Sequence, residues 1–202
     1  MEIKNLEHFK KLVQKGKIKD KWYFYKRTEE QKQNQTHEME KLIEYFKEHL
    51  NLLLYPISGT LLGMSREKDF ILHDNDVDLA YLSNQHEKSN VLEEFYQICD
   101  KLKKENLLSK ICRKGQLHCY GQSKTFKYDI WTSFIMNNQY YLVPLIDGDL
   151  MPDTLLPLKK IIFRKVEFFV PNQTEKILDY IYKDWKVLNY NLGSNLKWIN
   201  IL

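Results

Sequence analysis

The chain has 202 residues, 43% hydrophobic and 29% charged, a balance that excludes a disordered chain and suits one domain with a sizeable core. No apolar run reaches the roughly 18 residues that span a bilayer, and the charged start MEIKNLEHFKKLVQKGK lacks the apolar stretch of a secretory signal, so a cytoplasmic protein is expected. The net charge of +4 is uneven: residues 1–27 hold nine Lys/Arg against three Asp/Glu, and the rest of the chain is slightly acidic.

Residues 1–27 read as a basic helical arm ahead of a single unit over 28–202. Such an arm suits a solvated lysine-rich helix, or contact with anionic lipid at the inner face of a membrane or with a phosphorylated substrate. Nucleic acid is not expected, because the arm shows no aromatic and basic interleaving of the base-stacking kind. Thr28 and Gln31 have the form of a capping box. Behind them Met39, Leu42, Ile43, Phe46 and Leu50 recur at helical spacing, predicting a long amphipathic helix. The short apolar segment Leu52–Ser58, broken by Pro56, predicts a strand leading into a turn. Gly59-Thr60 then opens a short helix to about Glu67, and Asp76–Leu82 alternates as a buried strand does.

Asn90 with Glu93 predicts the start of a helix whose inner stripe is Val91, Leu92, Phe95, Ile98, Cys99 and Leu102. Strands are predicted at 109–120, 125–135, 139–144, 160–164 and 166–170, with Arg164-Lys165 turning the last hairpin. Asn172 with Glu175 starts a final helix with Ile177, Leu178, Ile181, Tyr182 and Trp185 inside. This order predicts an α+β (mixed α/β) domain. Cys99, Cys112 and Cys119 form no Cys-x-x-Cys pair, and Cys112 and Cys119, with His118 adjacent, lack a second ligand pair for zinc, so all three read as reduced thiols.

The segment from Ser58 to Leu79 carries the chemistry. On a strand, residues i and i+2 share a face, so Asp76 and Asp78 project together, with Asp74 joining them if the extended backbone begins early. Carboxylates crowded beside Val77 and Leu79 repel one another and are costly to desolvate. A hard divalent cation resolves that conflict. A calcium loop is excluded, since Asp74-Asn75-Asp76-Val77-Asp78 lacks the required glycine and terminal glutamate. Ser58-Gly59-Thr60, at a strand end where a helix begins, offers backbone N–H groups and a hydroxyl to an anion. Arg66 and Lys68 lie between the two segments, placed either to neutralise phosphate or to remain inert at a helix end.

Gly59-Thr60 followed by Asp76-Val77-Asp78 resembles the signature of the DNA polymerase β-like nucleotidyltransferase superfamily. More narrowly, Ser58-Gly59-Thr60-Leu61-Leu62-Gly63, Arg66, Phe70-Ile71 and Asp74-Asn75-Asp76-Val77-Asp78-Leu79 resemble the LicD/fukutin-type family, over roughly residues 40–190. Asp69 stands where that pattern has glycine, and Leu72-His73 where it has Pro-Trp. Tyr128-Asp129-Ile130-Trp131 is similar to the family's Val-Asp-Ile-Phe strand, and Tyr182-Lys183-Asp184-Trp185 to its Tyr-Gly-x-x-Trp. The resemblance implies a nucleotidyltransferase fold with a mixed or antiparallel sheet flanked by helices. It also implies Asp129 as third carboxylate and possible base, and one or two Mg2+ (or Mn2+) ions on Asp74, Asp76, Asp78 and Asp129. The implied reaction moves a phosphorylated alcohol, such as phosphocholine or ribitol or glycerol phosphate, from a CDP-linked donor to a sugar hydroxyl of a glycan. The alternative is transfer of a nucleoside monophosphate from a nucleoside triphosphate to a small molecule, protein or RNA.

Overall fold

The computed structural model describes residues 3–187 and 199–202; residues 188–198 of the 28–202 unit lie outside the described residues. The arm contains helix α1 (Leu6–Gln14), whose N-terminus is capped by Asn5 Oδ1 accepting from His8 N–H at 2.8 Å. Phe9 and Val13 bury one face of this helix against Tyr23, while Lys4, Lys11, Lys15, Lys17 and Lys19 stay exposed. The capping box forms: Thr28 Oγ1 accepts from Gln31 N–H at 3.1 Å, and the Gln31 side chain accepts from Thr28 N–H at 2.9 Å. It starts α2 (Glu29–Leu50), which buries Met39, Leu42 and Phe46 and stops at Asn51 in the left-handed conformation, φ 54°.

Next come β1 (Leu53–Pro56) and α3 (Ser58–Leu62), which widens into one π-helical turn over Gly63–Glu67. After β2 (Asp78–Leu82), helix α4 (Lys88–Lys104) buries Val91, Phe95, Ile98, Cys99 and Leu102. Helix α4 begins at Lys88, ahead of the predicted cap; Asn90 lies inside it, and no side chain caps its start. The predicted strand 109–120 is two strands, β3 (Leu108–Arg113) and β4 (Gln116–Tyr120), turned at Gly115 with φ +76°. Strands β5 (Lys127–Met136) and β6 (Gln139–Leu142) follow as expected. The sequence reading passed over β7 (Ile146–Leu150), although its burial alternates residue by residue.

The seven strands form one mixed sheet. Its main path is β1-β2-β5-β4-β3, with β6 on β5 and β7 on β6. Strands β2 and β5 run parallel and every other pair is antiparallel. A separate hairpin, β8 (Lys159–Phe163) and β9 (Val166–Val170), turns at Arg164-Lys165, both with positive φ. It packs on α2 and β1. Helix α5 (Thr174–Ile181) is shorter than predicted, so Tyr182 and Trp185 lie beyond it, both 5% exposed. The architecture is therefore α+β, with a mixed sheet flanked by helices. The three cysteines are free thiols, Cys99 and Cys119 buried. Among the described residues no helix is long and apolar enough to cross a membrane.

Candidate functional site

The parallel pair sets the site. Asp78 begins β2 and stands in register with Asp129 near the start of β5, so two neighbouring strands deliver one carboxylate each at the same level. Asp129 N–H donates to Val77 O at 2.9 Å, fixing that alignment one residue ahead of the strand. The regular strand starts at Asp78, and Asp74 and Asp76 belong to the loop before it. The shared strand face inferred from their spacing therefore does not bring Asp76 to the site; the loop does. Asp76 sits at the electrostatic centre, because after burial its charge is the largest influence raising the pKa of Asp74, Asp78 and Asp129 alike. Asp74 and Asp78 are held well above the usual carboxylate range, and Asp129 is pushed up to about 7. Asp74 also hydrogen-bonds the Asp76 carboxyl, a contact that raises its pKa further.

Gly59 makes this crowding geometrically possible. A Cβ there would lie 2.7 Å from Asp74 Oδ2 and 3.6 Å from Asp78 Oδ2, so only a glycine lets the carboxylates close over the turn. Its backbone N–H donates to the Asp78 carboxyl. Thr60 Oγ1 accepts from Asp78 N–H at 2.9 Å, tying the turn to the strand. Ser58 holds φ +47°, a conformation uncommon for a residue with a side chain. Its Oγ meets the buried Tyr182 hydroxyl at 2.8 Å. The turn foreseen as a phosphate cradle thus has these polar groups engaged with Asp78 and Tyr182 in this arrangement.

Arg66 turns toward the end of the described chain: Nη1 donates to Trp185 O at 2.9 Å and Nε to Glu67 at 2.7 Å. Its Nη2 is buried with no hydrogen-bond partner among the described residues. Lys68 is exposed at the end of the helical turn, with φ +56°, and no contact draws it to the carboxylates. The two departures from the family pattern have structural reasons. Asp69 accepts from Arg164 Nη1 at 2.6 Å and Lys32 Nζ at 3.2 Å, pinning the β8–β9 turn to α2. Burial and the charge of Arg66 lower the His73 pKa to about 4, and the ring packs edge-on against Phe9 at 5.7 Å, so it serves as a neutral aromatic.

Two groups that the sequence reading left out or left bland reach the carboxylates. Arg27 is 7% exposed; it donates to the Gln35 side chain, to Trp22 O at 2.9 Å and to Asn75 O at 2.7 Å. Burial lowers its pKa to about 10 while Asp74 and Asp76 pull the other way, so this guanidinium offsets part of the acidic charge. Nothing in the spacing of the sequence singles out Arg27 among nine basic residues of the arm. His118 stands in cross-strand register with Asp129, Nε2 to Oδ1 at 2.9 Å. Burial and the charges of Lys127 and Lys110 lower the His118 pKa, while burial and the charge of Asp76 raise that of Asp129, so both shifts disfavour the charged forms at this contact.

The donor chemistry suits a hard divalent ion: oxygen ligands only, from two neighbouring strands and the loop ahead of one of them. Among the described residues, no group of three or more His, Cys, Asp or Glu side chains is placed to hold a metal ion in this arrangement.

The sequence model described as LicD/FKTN/FKRP, nucleotidyltransferase domain, matches residues 52–173. The chain belongs to the LicD/FKTN/FKRP family. Its members are generally transferases, and membership supports an enzyme with a phosphotransferase or glycan-modifying role. The matched span runs from β1 through β9, narrower than the resemblance over 40–190, and contains Asp74, Asp76, Asp78, Asp129 and His118. It leaves outside the arm with Arg27 and the segment with Tyr182 and Trp185. An uncharacterized protein of Rickettsia prowazekii (strain Madrid E) is 27% identical over 136 residues, covering 67% of this chain and 49% of that protein. The chain thus spans about half the length of that relative.

Proposed function

We propose that this LicD-type chain adopts the nucleotidyltransferase fold and catalyses Mg2+-dependent transfer of a phosphorylated alcohol from a CDP-linked donor to a sugar hydroxyl of a glycan or its precursor. The observation that carries the reading is Asp78 facing Asp129 across parallel strands with the charge of Asp76 on both. Asp76, Asp78 and Asp129 would hold Mg2+ (or Mn2+), with Asp74 behind them. When bound, the ion neutralises phosphate charge and makes the acceptor hydroxyl more acidic.

In the reaction, the acceptor oxygen attacks the phosphorus that bears the alcohol. The bond from that phosphorus to the bridging oxygen breaks, and CMP leaves. Asp129, steadied at Oδ1 by His118, is placed to take the hydroxyl proton. Gly59 keeps the turn thin enough for the donor to approach the carboxylates. Arg66 brings a buried guanidinium nitrogen that has no hydrogen-bond partner among the described residues, a group a phosphate oxygen would satisfy. We place the enzyme in the cytoplasm, with the exposed lysines of the arm open to the inner face of a membrane.

The test is a panel of CDP-linked alcohols and nucleoside triphosphates incubated with Mg2+ and candidate sugars. CMP release with a phospho-alcohol on the acceptor supports the reading. Pyrophosphate release with a nucleotide on the acceptor would replace it by nucleotidyl transfer. Asp76→Asn and Asp78→Asn should abolish turnover in either case.

A further inference from the structure

The segment Lys21–Arg27 lies outside the span shared with the family, yet it reaches the acidic loop at three points. Arg27 Nη2 donates both to Trp22 O and to Asn75 O, clamping the Trp22 backbone beside the residue between Asp74 and Asp76. Lys21 Nζ donates to Asn75 Oδ1 at 3.0 Å. The same ammonium is close enough to Asp129 to oppose the rise of its pKa. Phe24 N–H donates to Asp74 O at 2.8 Å. Contrary to the sequence expectation, aromatic and basic residues do sit side by side in this run of the arm, and burial sorts them. Tyr23 and Phe24 are 5% and 1% exposed, whereas Trp22 is 46% exposed.

The indole of Trp22 is open but held. It lies parallel to Phe126, with centroids 6.3 Å apart and planes 3° from parallel, and the Arg27 guanidinium carbon is 4.5 Å from its centre. Phe126 stands three residues ahead of Asp129, so the ring is fixed between the arm and the strand that brings the second carboxylate. A flat aromatic surface whose orientation is already set loses little entropy when a planar ligand covers it. An acidic loop, an ammonium and an aromatic plane thus stand on neighbouring residues. A nucleotide bound through a metal offers a partner to each: coordinated phosphate, further anionic oxygen, base.

We propose that Trp22 is the base-stacking surface of the donor site, with Lys21 meeting the donor's phosphates. This rests on the reading of the cleft as the site of a nucleotide donor. Stacking on an aromatic side chain tolerates any base, so Trp22 supplies affinity without choosing among bases; its removal should weaken binding by about 10- to 100-fold.

The experiment uses the full chain with Mg2+ and measures CMP, UMP and inorganic phosphate binding by calorimetry for wild type, Trp22→Ala and Trp22→Phe, with a thermal melt to verify folding. Trp22→Ala should weaken CMP and UMP alike by about 10- to 100-fold, leave inorganic phosphate unchanged, and be largely rescued by Trp22→Phe. Unchanged CMP affinity in a folded Trp22→Ala variant overturns the proposal. A defect confined to the KM of the sugar acceptor also overturns it, assigning the indole to the acceptor instead. Wild-type protein that binds phosphate but no nucleotide would strike the donor reading itself, a result distinct from failure of Trp22 alone.

Discussion

Asp129→Asn tests the crowding argument because it should both stabilise the metal-free protein and destroy its activity. In the fold the Asp129 carboxyl titrates at about 7, against 3.8 for the free side chain, through burial and the charge of Asp76. A carboxyl whose pKa rises on folding binds its proton more tightly in the native state, so stability falls as pH climbs from the lower value through the higher one. The cost of the charged form reaches about 4 kcal/mol at pH 8 and remains about 2 kcal/mol at pH 5. Asparagine never ionises and so escapes that cost. With the residue's partial solvent access allowed for, the metal-free variant should exceed wild type by about 2–3 kcal/mol at pH 8, roughly 4–12 °C in Tm. The advantage should shrink toward pH 5. Thermal melts in chelator at both pH values measure it. Millimolar Mg2+ should then raise the wild-type Tm and leave the variant nearly unmoved. A variant less stable than wild type at pH 8 without metal, or an advantage indifferent to pH, would refute the idea that Asp129 is a desolvated and repelled charge.

Gly59→Ala should lower kcat by about 100-fold with under roughly 2 kcal/mol lost in urea unfolding, because the new methyl pushes Asp74 Oδ2 out of place and touches little else. Arg27→Lys should cost about 2–4 kcal/mol, read from the urea midpoint, since one ammonium cannot reproduce the planar donor set toward Gln35, Trp22 and Asn75 that offsets the acidic charge. Asp69→Gly should lose about 2–3 kcal/mol by removing the acceptor shared by Arg164 and Lys32. Its kcat should stay unchanged, which a steady-state assay beside the melt will establish.

Local chemistry was legible in the residues alone. The capping box at Thr28, the inner stripes of α2 and α4, the hairpin turn at Arg164-Lys165 and the pairing of a glycine turn with a cluster of aspartates each depend on neighbours a few positions apart. Burial period and cap geometry are written at that range. Errors fell at boundaries, where tertiary contacts overrule local preference. Asp76 left the strand for the loop, α4 started without a side-chain cap, and β7, with polar Asp147 and Asp149 alternating with buried residues, was not predicted.

What only the folded chain decided is which distant groups meet. The parallel pairing of β2 with β5 puts Asp78 level with Asp129, and β4 then lays His118 against the same carboxyl. The arm, read as a solvated basic helix or a membrane contact, buries Arg27 beside Asp74 and Asp76 while leaving Trp22 exposed. No spacing rule could announce either outcome, because strand order and chain return set them across tens of residues. The sequence determined that this protein concentrates negative charge at a glycine turn. The tertiary structure decided what stands around that charge, since electrostatic energy depends on distance through space and on burial, neither of which runs along the chain.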